Sequence, residues 1–168
     1  MREFCVLLAP TINSYKRLCP GAWAPINTTW GTENRTVAFR VIDGKPDAQR
    51  IENRLGGADA NPYLAIAATL GAGLLGIEQK ILPTEETIGG AYSKKVPKKM
   101  AVPYSLNEAT KLFKKSKSAR NVFGNNFVDH FSSTREWEYN QYLKGKKIYN
   151  KYQKNISHWE LARYFEII

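Results

Sequence analysis

Five charged residues of two types fall within 20 positions of the chain and could form a site for phosphates and a metal ion. They are four arginines and one glutamate: Arg35, Arg40, Arg50, Glu52 and Arg54. Guanidinium groups donate paired hydrogen bonds to phosphate and carboxylate oxygens, and an ionised carboxylate is a hard oxygen ligand suited to magnesium. These residue types therefore indicate phosphate chemistry assisted by a divalent cation.

Alternating apolar and polar residues predict that two β-strands carry this cluster. The apolar positions of the first strand are Val37, Phe39 and Val41. In the second strand Arg50, Glu52 and Arg54 share one face, about 6 to 7 Å apart, so we expect Glu52 to lie between Arg50 and Arg54 and to stay ionised. The same pattern also fits a solvated ladder of charges on a half-exposed sheet, which would contribute little energy.

The elements around the two strands follow from turn and helix signals. The sequence Asp43-Gly44-Lys45-Pro46 predicts the turn that joins the strands. Asn61 and Pro62 predict the start of a helix that runs to about Leu82, before Pro83. Because residues 61–77 carry no charge and include three glycines, we expect a buried helix rather than a membrane span.

The second half of the chain reads as an irregular loop followed by helices. Residues 83–104 are rich in Gly, Lys and Pro and predict the loop. Ser105 and Glu108 form a capping-box pattern ahead of a short helix, and a longer helix fits residues 126–143. A second capping-box pattern, Ser157 with Glu160, opens a final helix. The apolar face expected for the short helix is Leu106, Ala109, Leu112 and Phe113.

Composition narrows the class of protein. The 168 residues, 43% of them hydrophobic, have the size of one domain, and no secretory signal or membrane span is expected. Two cysteines, Cys5 and Cys19, are too few for a disulfide framework, which favours the cytoplasm.

The net charge of +10 is concentrated in lysine runs. Residues 93–120 hold eight Lys, one Arg and one acid. No aromatic-interleaved RNA-binding pattern or zinc-finger spacing accompanies them, so we expect a solvated surface and no nucleic-acid partner. A basic module that binds a polyanion remains an alternative. The second run is Lys144, Lys146, Lys147, Lys151 and Lys154.

Three sequence blocks in order, residues 9–18, 33–40 and 50–64, resemble the carboxy-terminal part of the glutamine synthetase family's catalytic domain. They read Ala-Pro-Thr-Ile-Asn-Ser-Tyr-Lys-Arg-Leu, Glu-Asn-Arg-Thr-Val-Ala-Phe-Arg and Arg-Ile-Glu-Asn-Arg-Leu-Gly-Gly-Ala-Asp-Ala-Asn-Pro-Tyr-Leu. The tail, at 127–131, 134–138 and 159–166, resembles the amine-ligating branch, of the gamma-glutamylpolyamine synthetase kind. The resemblance covers residues 1–168 and implies an α+β fold, with antiparallel-type strands in the first third followed by helices.

In that family ATP phosphorylates the side-chain carboxylate of glutamate, and ammonia or an amine displaces the phosphate to give an amide. The resemblance implies that Arg17 and Arg35 are catalytic and contact glutamate, Arg17 at its carboxylate and Arg35 near the transferring phosphate. It implies that Arg54 holds the side-chain carboxylate or the phosphoryl oxygens.

The resemblance also assigns the nucleotide and the metal. Arg40 and Arg50 are expected to bind the phosphates of ATP. Glu52 is expected to ligate Mg²⁺ or Mn²⁺.

One departure from the family pattern bears on the substrate. Ammonia-using members carry a Glu shortly after the Pro-Gly of a flap loop, where this chain has Pro20-Gly21-Ala22-Trp23-Ala24-Pro25. A carboxylate there would attract ammonium, whereas Trp23 offers an apolar face to an organic amine. We therefore expect Trp23 to contact the substrate and an amine to be preferred to ammonia.

The resemblance begins after the family's amino-terminal β-grasp domain and after most of its metal carboxylates. One carboxylate cannot hold a pair of magnesium ions. We therefore expect no ligase activity from this polypeptide alone, and activity only with the missing N-terminal half or with complete subunits of the family's homo-oligomers. The alternative is a non-catalytic remnant that keeps the fold.

Overall fold

Three short strands in the first third of the chain form one mixed sheet. The computed structural model describes residues 1–145 and 155–166. The strands are β1 (Trp30–Thr32), β2 (Phe39–Ile42) and β3 (Arg50–Asn53), in the order β1-β2-β3. β2 and β3 are antiparallel, and β1 runs parallel to β2. The expectation of antiparallel-type strands is therefore wrong for β1, because residues 33–38 turn the chain back before β2 begins.

Helices make up about half of the remaining described chain, so the α+β class is confirmed. They are α1 (Cys5–Leu8), α2 (Ser14–Arg17), α3 (Pro62–Glu78), α4 (Leu106–Lys115), α5 (Lys117–Phe123), α6 (Asn125–Gly145) and α7 (His158–Tyr164). Single 3-10 turns lie at Arg2–Phe4 and Lys98–Met100.

α3 begins where the sequence predicts and ends earlier than predicted. The Asn61 side chain accepts hydrogen bonds from the backbone N–H groups of Tyr63 and Leu64, and Pro62 occupies the first helical position. The helix ends at Glu78, well before Pro83. The sequence gives no strong signal for this earlier end.

The prediction that α3 is buried is wrong for one of its faces. Ala68 and Leu75 are buried against the rest of the chain. On the opposite face Ile66 and Leu70 are 58% and 61% exposed. An uncharged helix is buried all round only if other residues pack on each of its faces. The described residues pack on one face of α3.

The core lies where α1, α4, α5 and α6 meet. Phe113 is fully buried, and its ring contacts those of Phe123, Phe127 and Phe131 at centroid distances of 6.0, 6.5 and 6.0 Å. Leu106 and Ala109 are also buried, which confirms most of the apolar face predicted for α4. α6 extends one residue earlier and two residues later than expected.

Helix capping explains which helix starts could be predicted. Ser157 and Glu160 form the complete capping box expected at α7. At α4 the Ser105 hydroxyl accepts from the Glu108 N–H, but the Glu108 carboxylate bonds to the N–H of Tyr104 rather than to that of Ser105. α5 was not predicted, because only seven residues and the Ser116 cap mark it.

The remaining sequence predictions concern cysteines, membranes and lysines. Cys5 and Cys19 are free and buried. Within the described ranges, no helix has both the length and the apolar character needed to cross a bilayer. Lys144 is exposed, and the other members of the second lysine run, at positions 146, 147, 151 and 154, lie outside the described residues.

Candidate active site

The β2–β3 register places two arginines around one carboxylate. Arg40 lies opposite Glu52 across the strand pair, and its Nη1 donates to Glu52 Oε2 at 3.1 Å. Arg54 Nη1 donates to the other oxygen, Oε1, at 2.5 Å. Glu52 therefore lies between two cations as expected, although one of them is Arg40 rather than Arg50. Arg50 opens β3, is exposed, and donates instead to the Ala48 carbonyl at 2.9 Å.

These contacts fix the charge state of the cluster. The hydrogen bond from Arg54 is the main cause that lowers the pKa of Glu52, with Arg40 adding to it, so the carboxylate is ionised at neutral pH. Arg40 also donates to a second carboxylate, Glu33, whose hydrogen bond raises the pKa of Arg40. Arg40 is thus shared by two acids, and the cluster is a network rather than a row of separate charges.

Arg54 connects this network to the flap loop. Its Nη2 donates to the Trp23 carbonyl at 3.2 Å while Nη1 binds Glu52. Trp23 has a φ of 53°, in the left-handed region that costs energy for a side chain of this size. Its indole is 72% exposed, so the flap presents an aromatic face to solvent.

The Nε of Arg54 is buried and has no acceptor among the described residues. Buried donors in native proteins usually have partners. An unmet donor on a site arginine is consistent with a site that accepts an anionic group.

Arg17 is held against the end of β3. Its guanidinium donates to the carbonyls of Arg54 and Leu55, at 3.2 and 2.5 Å. Burial is the main cause that lowers its pKa. Through these contacts Arg17 stabilises the loop that follows β3. The contact of Arg17 with glutamate stays a prediction.

Asp59 anchors the segment that carries Arg17. Its carboxylate accepts hydrogen bonds from the hydroxyls of Thr11 and Ser14, at 2.6 and 2.5 Å. Thr11 and Ser14 are buried, and they also bond to each other. The loop after β3 and the start of α2 are therefore fixed relative to one another.

Helix α7 also holds this segment in place. The Tyr164 hydroxyl accepts from the Ile12 N–H at 3.2 Å and donates to Glu138 Oε1 at 2.9 Å. Glu138 is 2% exposed and also accepts two bonds from Arg163. A further ion pair joins Lys16 to Glu160 at 2.6 Å. Residues 12–16 are thus fixed in place by contacts with α7.

Arg35 differs from the other arginines of the cluster because it has no polar partner in the described part of the chain. It is exposed and lines an open cleft of about 340 Å³ together with Asn34, Glu86 and Gly89. Asn34 donates to the carbonyls of Thr87 and Gly89, at 2.9 and 2.8 Å, which fixes the loop on the far side of the cleft. Arg35 is therefore a free cation at a shaped surface.

The described residues do not form a metal site by themselves. No group of three or more His, Cys, Asp or Glu side chains comes together within residues 1–145 and 155–166. Glu52 is the predicted ligand, and both of its oxygens already accept bonds from arginines. Divalent cations need several oxygen ligands in fixed geometry, so these residues fit a single contribution to a metal site and no more.

Sequence reasoning missed three residues of this region: Glu33, Asp59 and Glu138 were not singled out as site or positioning residues. Glu33 and Asp59 lie inside the sequence blocks that suggested the site, but single acids in loops carry no spacing signal. Glu138 stands on the buried stripe of α6, and an acid on an apolar stripe is a signal for a buried polar network.

Comparison with known proteins places the chain in a family. The model of the glutamine synthetase catalytic domain matches residues 1–164. The chain is 44% identical to a glutamate–isopropylamine ligase of Pseudomonas sp over 169 residues, covering 99% of this chain and 34% of that protein. It is 48% identical to type-1 glutamine synthetase 2 of Dictyostelium discoideum over 170 residues, covering 99% of this chain and 30% of that protein.

Two further relatives are similar over nearly the whole chain, and the first of them, named for an ethanolamide product, agrees with the amine-ligating pattern of the tail. Gamma-glutamylethanolamide synthetase GlnA4 of Streptomyces coelicolor is 41% identical, covering 99% of this chain and 33% of that protein. The solved structure of GmaS with ADP superposes with a TM-score of 0.72 at 30% identity, over 98% of this chain and 36% of that one. The chain thus spans about a third of the length of these relatives. It belongs to the glutamine synthetase family, whose catalytic domain its residues 1–164 match.

Proposed function

We propose that this chain supplies the arginine-rich part of the active site of an ATP-dependent γ-glutamyl ligase that joins glutamate to an organic amine. The single observation that supports this most strongly is the contrast between Arg35 and its neighbours. Arg40 and Arg54 are tied to Glu52, whereas Arg35 is exposed, lines a cleft and has no polar partner in the described ranges. A guanidinium in that state is available for a phosphate or acyl phosphate.

The reaction of the family sets what these residues must do. The γ-phosphoryl group of ATP passes to a carboxylate oxygen of glutamate, and ADP leaves. The amine nitrogen then forms a bond to the acyl carbon, the bond to phosphate breaks, and the nitrogen loses a proton. Negative charge accumulates on the transferring group, and preorganised cations stabilise it. In this proposal Arg35 stabilises that charge, and Arg40 and Arg50 hold the nucleotide phosphates.

Arg54 has two tasks in this proposal. Through Nη1 it keeps Glu52 ionised, and through Nη2 it holds the Trp23 carbonyl. The flap residue nearest to the incoming nucleophile is therefore fixed to the residue that contacts the acyl or phosphoryl oxygens. Arg17 assists by holding the carbonyls at the end of β3, and it contacts the carboxylate of glutamate when substrate is bound.

Support for an amine rather than ammonia comes from the flap. The exposed indole of Trp23 supplies apolar area and a π face for an alkyl or cationic amine, and the segment 20–25 has no carboxylate to collect ammonium. The relatives named for an isopropylamine substrate and an ethanolamide product support the same preference. The divalent metal of the family would neutralise phosphate charge, with Glu52 as one of its ligands.

The test is a chimera in which residues 1–164 replace the matched third of the Pseudomonas ligase. We expect ATP-dependent amide formation with isopropylamine or ethanolamine at a higher kcat/KM than with ammonia. Arg35→Ala should lower kcat by about 100-fold or more, because it removes a charge-stabilising group. The matched control Lys111→Ala, an exposed cation on α4, should leave the rate unchanged.

Three outcomes would contradict the proposal. A folded chimera that does not turn over would favour the non-catalytic remnant. Equal decreases in kcat for Arg35→Ala and Lys111→Ala would show that Arg35 takes no part in the reaction. A higher kcat/KM with ammonia would show that Trp23 does not select an amine. The 168-residue chain by itself should show no ADP release above background, because the described residues form no complete metal site.

A further inference from the structure

Asn34, the residue before Arg35 in the chain, makes four hydrogen bonds with its side chain. Its amide nitrogen donates to the carbonyls of Thr87 and Gly89, at 2.9 and 2.8 Å. Its oxygen accepts from the backbone N–H and the hydroxyl of Thr36, at 2.9 and 2.7 Å. An asparagine amide has two N–H donors and one oxygen with two lone pairs, so this side chain forms all the bonds that it can form.

The bonds from Thr36 to Asn34 fix the backbone around Arg35. A bond from the N–H of a residue to the side-chain oxygen of an asparagine two positions earlier closes a tight turn, and Arg35 is the residue inside that turn. Val37, which follows Thr36, is fully buried. The backbone is therefore fixed on both sides of Arg35, although the Arg35 side chain is exposed and has no polar partner in the described ranges.

The bonds from Asn34 to the two carbonyls hold the opposite wall of the cleft. This cleft lies between residues 32–36 and residues 86–89. The segment 86–89 has no regular secondary structure, and the chain turns at Gly89, whose φ of 74° lies in the left-handed region that glycine adopts readily. Asn34 thus joins the wall that carries Arg35 to the wall that faces it.

Backbone bonds on either side of this link hold the rest of the loop. The Thr87 N–H donates to the Trp30 carbonyl of β1 at 2.9 Å. The Ala91 N–H donates to the Thr36 hydroxyl at 2.8 Å. The Asn34 amide therefore belongs to a set of bonds that fixes the width of the cleft.

The backbone position of Arg35 is important because its guanidinium is not held by any other group of the described chain. A cation stabilises a transition state only when it lies where the charge develops, and a displacement of about 1 Å can lower a rate by about 100-fold. The volume that an exposed arginine side chain can reach is limited by its attachment point and by the wall opposite. Asn34 sets both of these limits.

We propose that Asn34 is a positioning residue for the ligase reaction, which holds the backbone of Arg35 and the segment 86–89 at a fixed separation. Asn34 does not touch the reacting atoms and acts through Arg35. The effect on the reaction rests on the proposed function, whereas the link between the two walls rests on the four hydrogen bonds.

The variants remove the link without adding charge. Asn34→Ala removes all four bonds. Asn34→Ser is a milder second variant, because a serine hydroxyl can accept from the Thr36 N–H but is too short to bind two carbonyls of the loop. The matched control is Asn121→Ala, at an exposed asparagine of α5.

The first measurement is hydrogen exchange of the 168-residue chain, which does not depend on activity. The backbone amides of Thr87 and Ala91 should lose protection by at least about tenfold in both Asn34 variants, because the loop that carries them is released. The amides of α4 should keep the protection of the unaltered chain, which shows that the variants are folded. Asn121→Ala should leave Thr87 and Ala91 unchanged.

The second measurement uses the chimera with the Pseudomonas ligase. Asn34→Ala should lower kcat by about 10- to 100-fold and change KM for the amine by less than about threefold, because it misplaces a group that stabilises the transferring charge. The double variant with Arg35→Ala should be no slower than Arg35→Ala alone, since the effect of Asn34 passes through Arg35. Asn121→Ala should match the unaltered chimera.

The two measurements separate this inference from the proposed function. Unchanged exchange at Thr87 and Ala91 in both Asn34 variants would overturn the inference, and so would a double variant in which the two decreases in kcat multiply. Loss of protection in the Asn34 variants together with a chimera that makes no amide would support the link between the walls and contradict the proposed function instead.

Discussion

Removal of the Glu138 carboxylate should loosen the C-terminal helix and, with it, the segment that carries Arg17. Glu138 is 2% exposed and accepts bonds from Arg163 and Tyr164. In Glu138→Ala the buried hydroxyl of Tyr164 loses its acceptor, which costs about 1 to 3 kcal/mol. The Arg163 side chain is 40% exposed, so water replaces its partner, and we assign about 0.2 to 1 kcal/mol to that pair. The expected total loss in the free energy of unfolding is about 1 to 4 kcal/mol.

Thermal unfolding followed by circular dichroism provides the assay. For a chain of this size the loss corresponds to a decrease in Tm of roughly 2 to 16 °C. The matched control is Glu136→Ala, on the same helix, where Glu136 pairs with Lys114 and both side chains are about 40% exposed. That exposed pair should contribute less than about 0.5 kcal/mol. Equal shifts in Tm for the two variants would refute the reasoning.

The pH dependence of Glu138 has a definite sign. Burial opposes ionisation, but the bonds from Arg163 and Tyr164 outweigh it and lower the pKa of Glu138 from its ordinary value of 4.5. A carboxyl with a lowered folded pKa stabilises the fold above its unfolded pKa, and this stability is lost as the pH falls through the folded value. Glu138→Gln should therefore be less stable than the unaltered chain at neutral pH, and the two should converge as the pH falls through the lowered pKa of the folded state. A constant difference across this range would refute the assignment.

Two further outcomes follow from the site and the sheet. Asp59→Asn should lower the stability of the segment around Ser14 by about 1 to 2 kcal/mol, because two buried hydroxyls lose a charged acceptor. Hydrogen exchange of the backbone amides of residues 11–17 measures this loss. Unchanged protection of these amides would contradict the prediction. Gly31→Ala should destabilise the chain, because the added Cβ would lie 2.7 Å from the Thr87 carbonyl oxygen. Gly73→Ala should instead stabilise α3 by about 0.5 to 1 kcal/mol, because its Cβ would have no atom within 4 Å and alanine favours the helix. Tm values of the two variants that move in the same direction would contradict both predictions.

The helix starts that could be predicted depend on neighbouring residues. Asn61 caps α3 through N–H groups two and three positions away, and Ser157 and Glu160 cap α7 within one turn. The Asp43–Gly44 turn between β2 and β3 is local in the same way. Such contacts join residues that are only a few positions apart, so they can be recognised from the sequence of one chain.

The parts that could not be predicted depend on pairs far apart in the sequence. Glu52 was expected beside Arg50 because both lie on one strand, but the cross-strand register brings Arg40 instead. Asp59 meets Thr11 across 48 positions, and Tyr164 meets Ile12 across 152. The prediction that α3 is buried was wrong for one face for a related reason. The hydrophobicity of a helix indicates that it packs against other residues, but it does not identify those residues.

The cross-strand pair of Arg40 and Glu52 also determines where this region tolerates changes in length. Side chains alternate along a strand, so one residue inserted within β2 or β3 would turn one member of the pair to the opposite face of the sheet. The connection at 43–49 is exposed and joins the strands beyond the pair, so residues added there leave the pairing of Arg40 with Glu52 intact. Grafted loops or affinity tags placed at 43–49 should therefore be compatible with the site, while a single insertion between positions 39 and 42 should dismantle it.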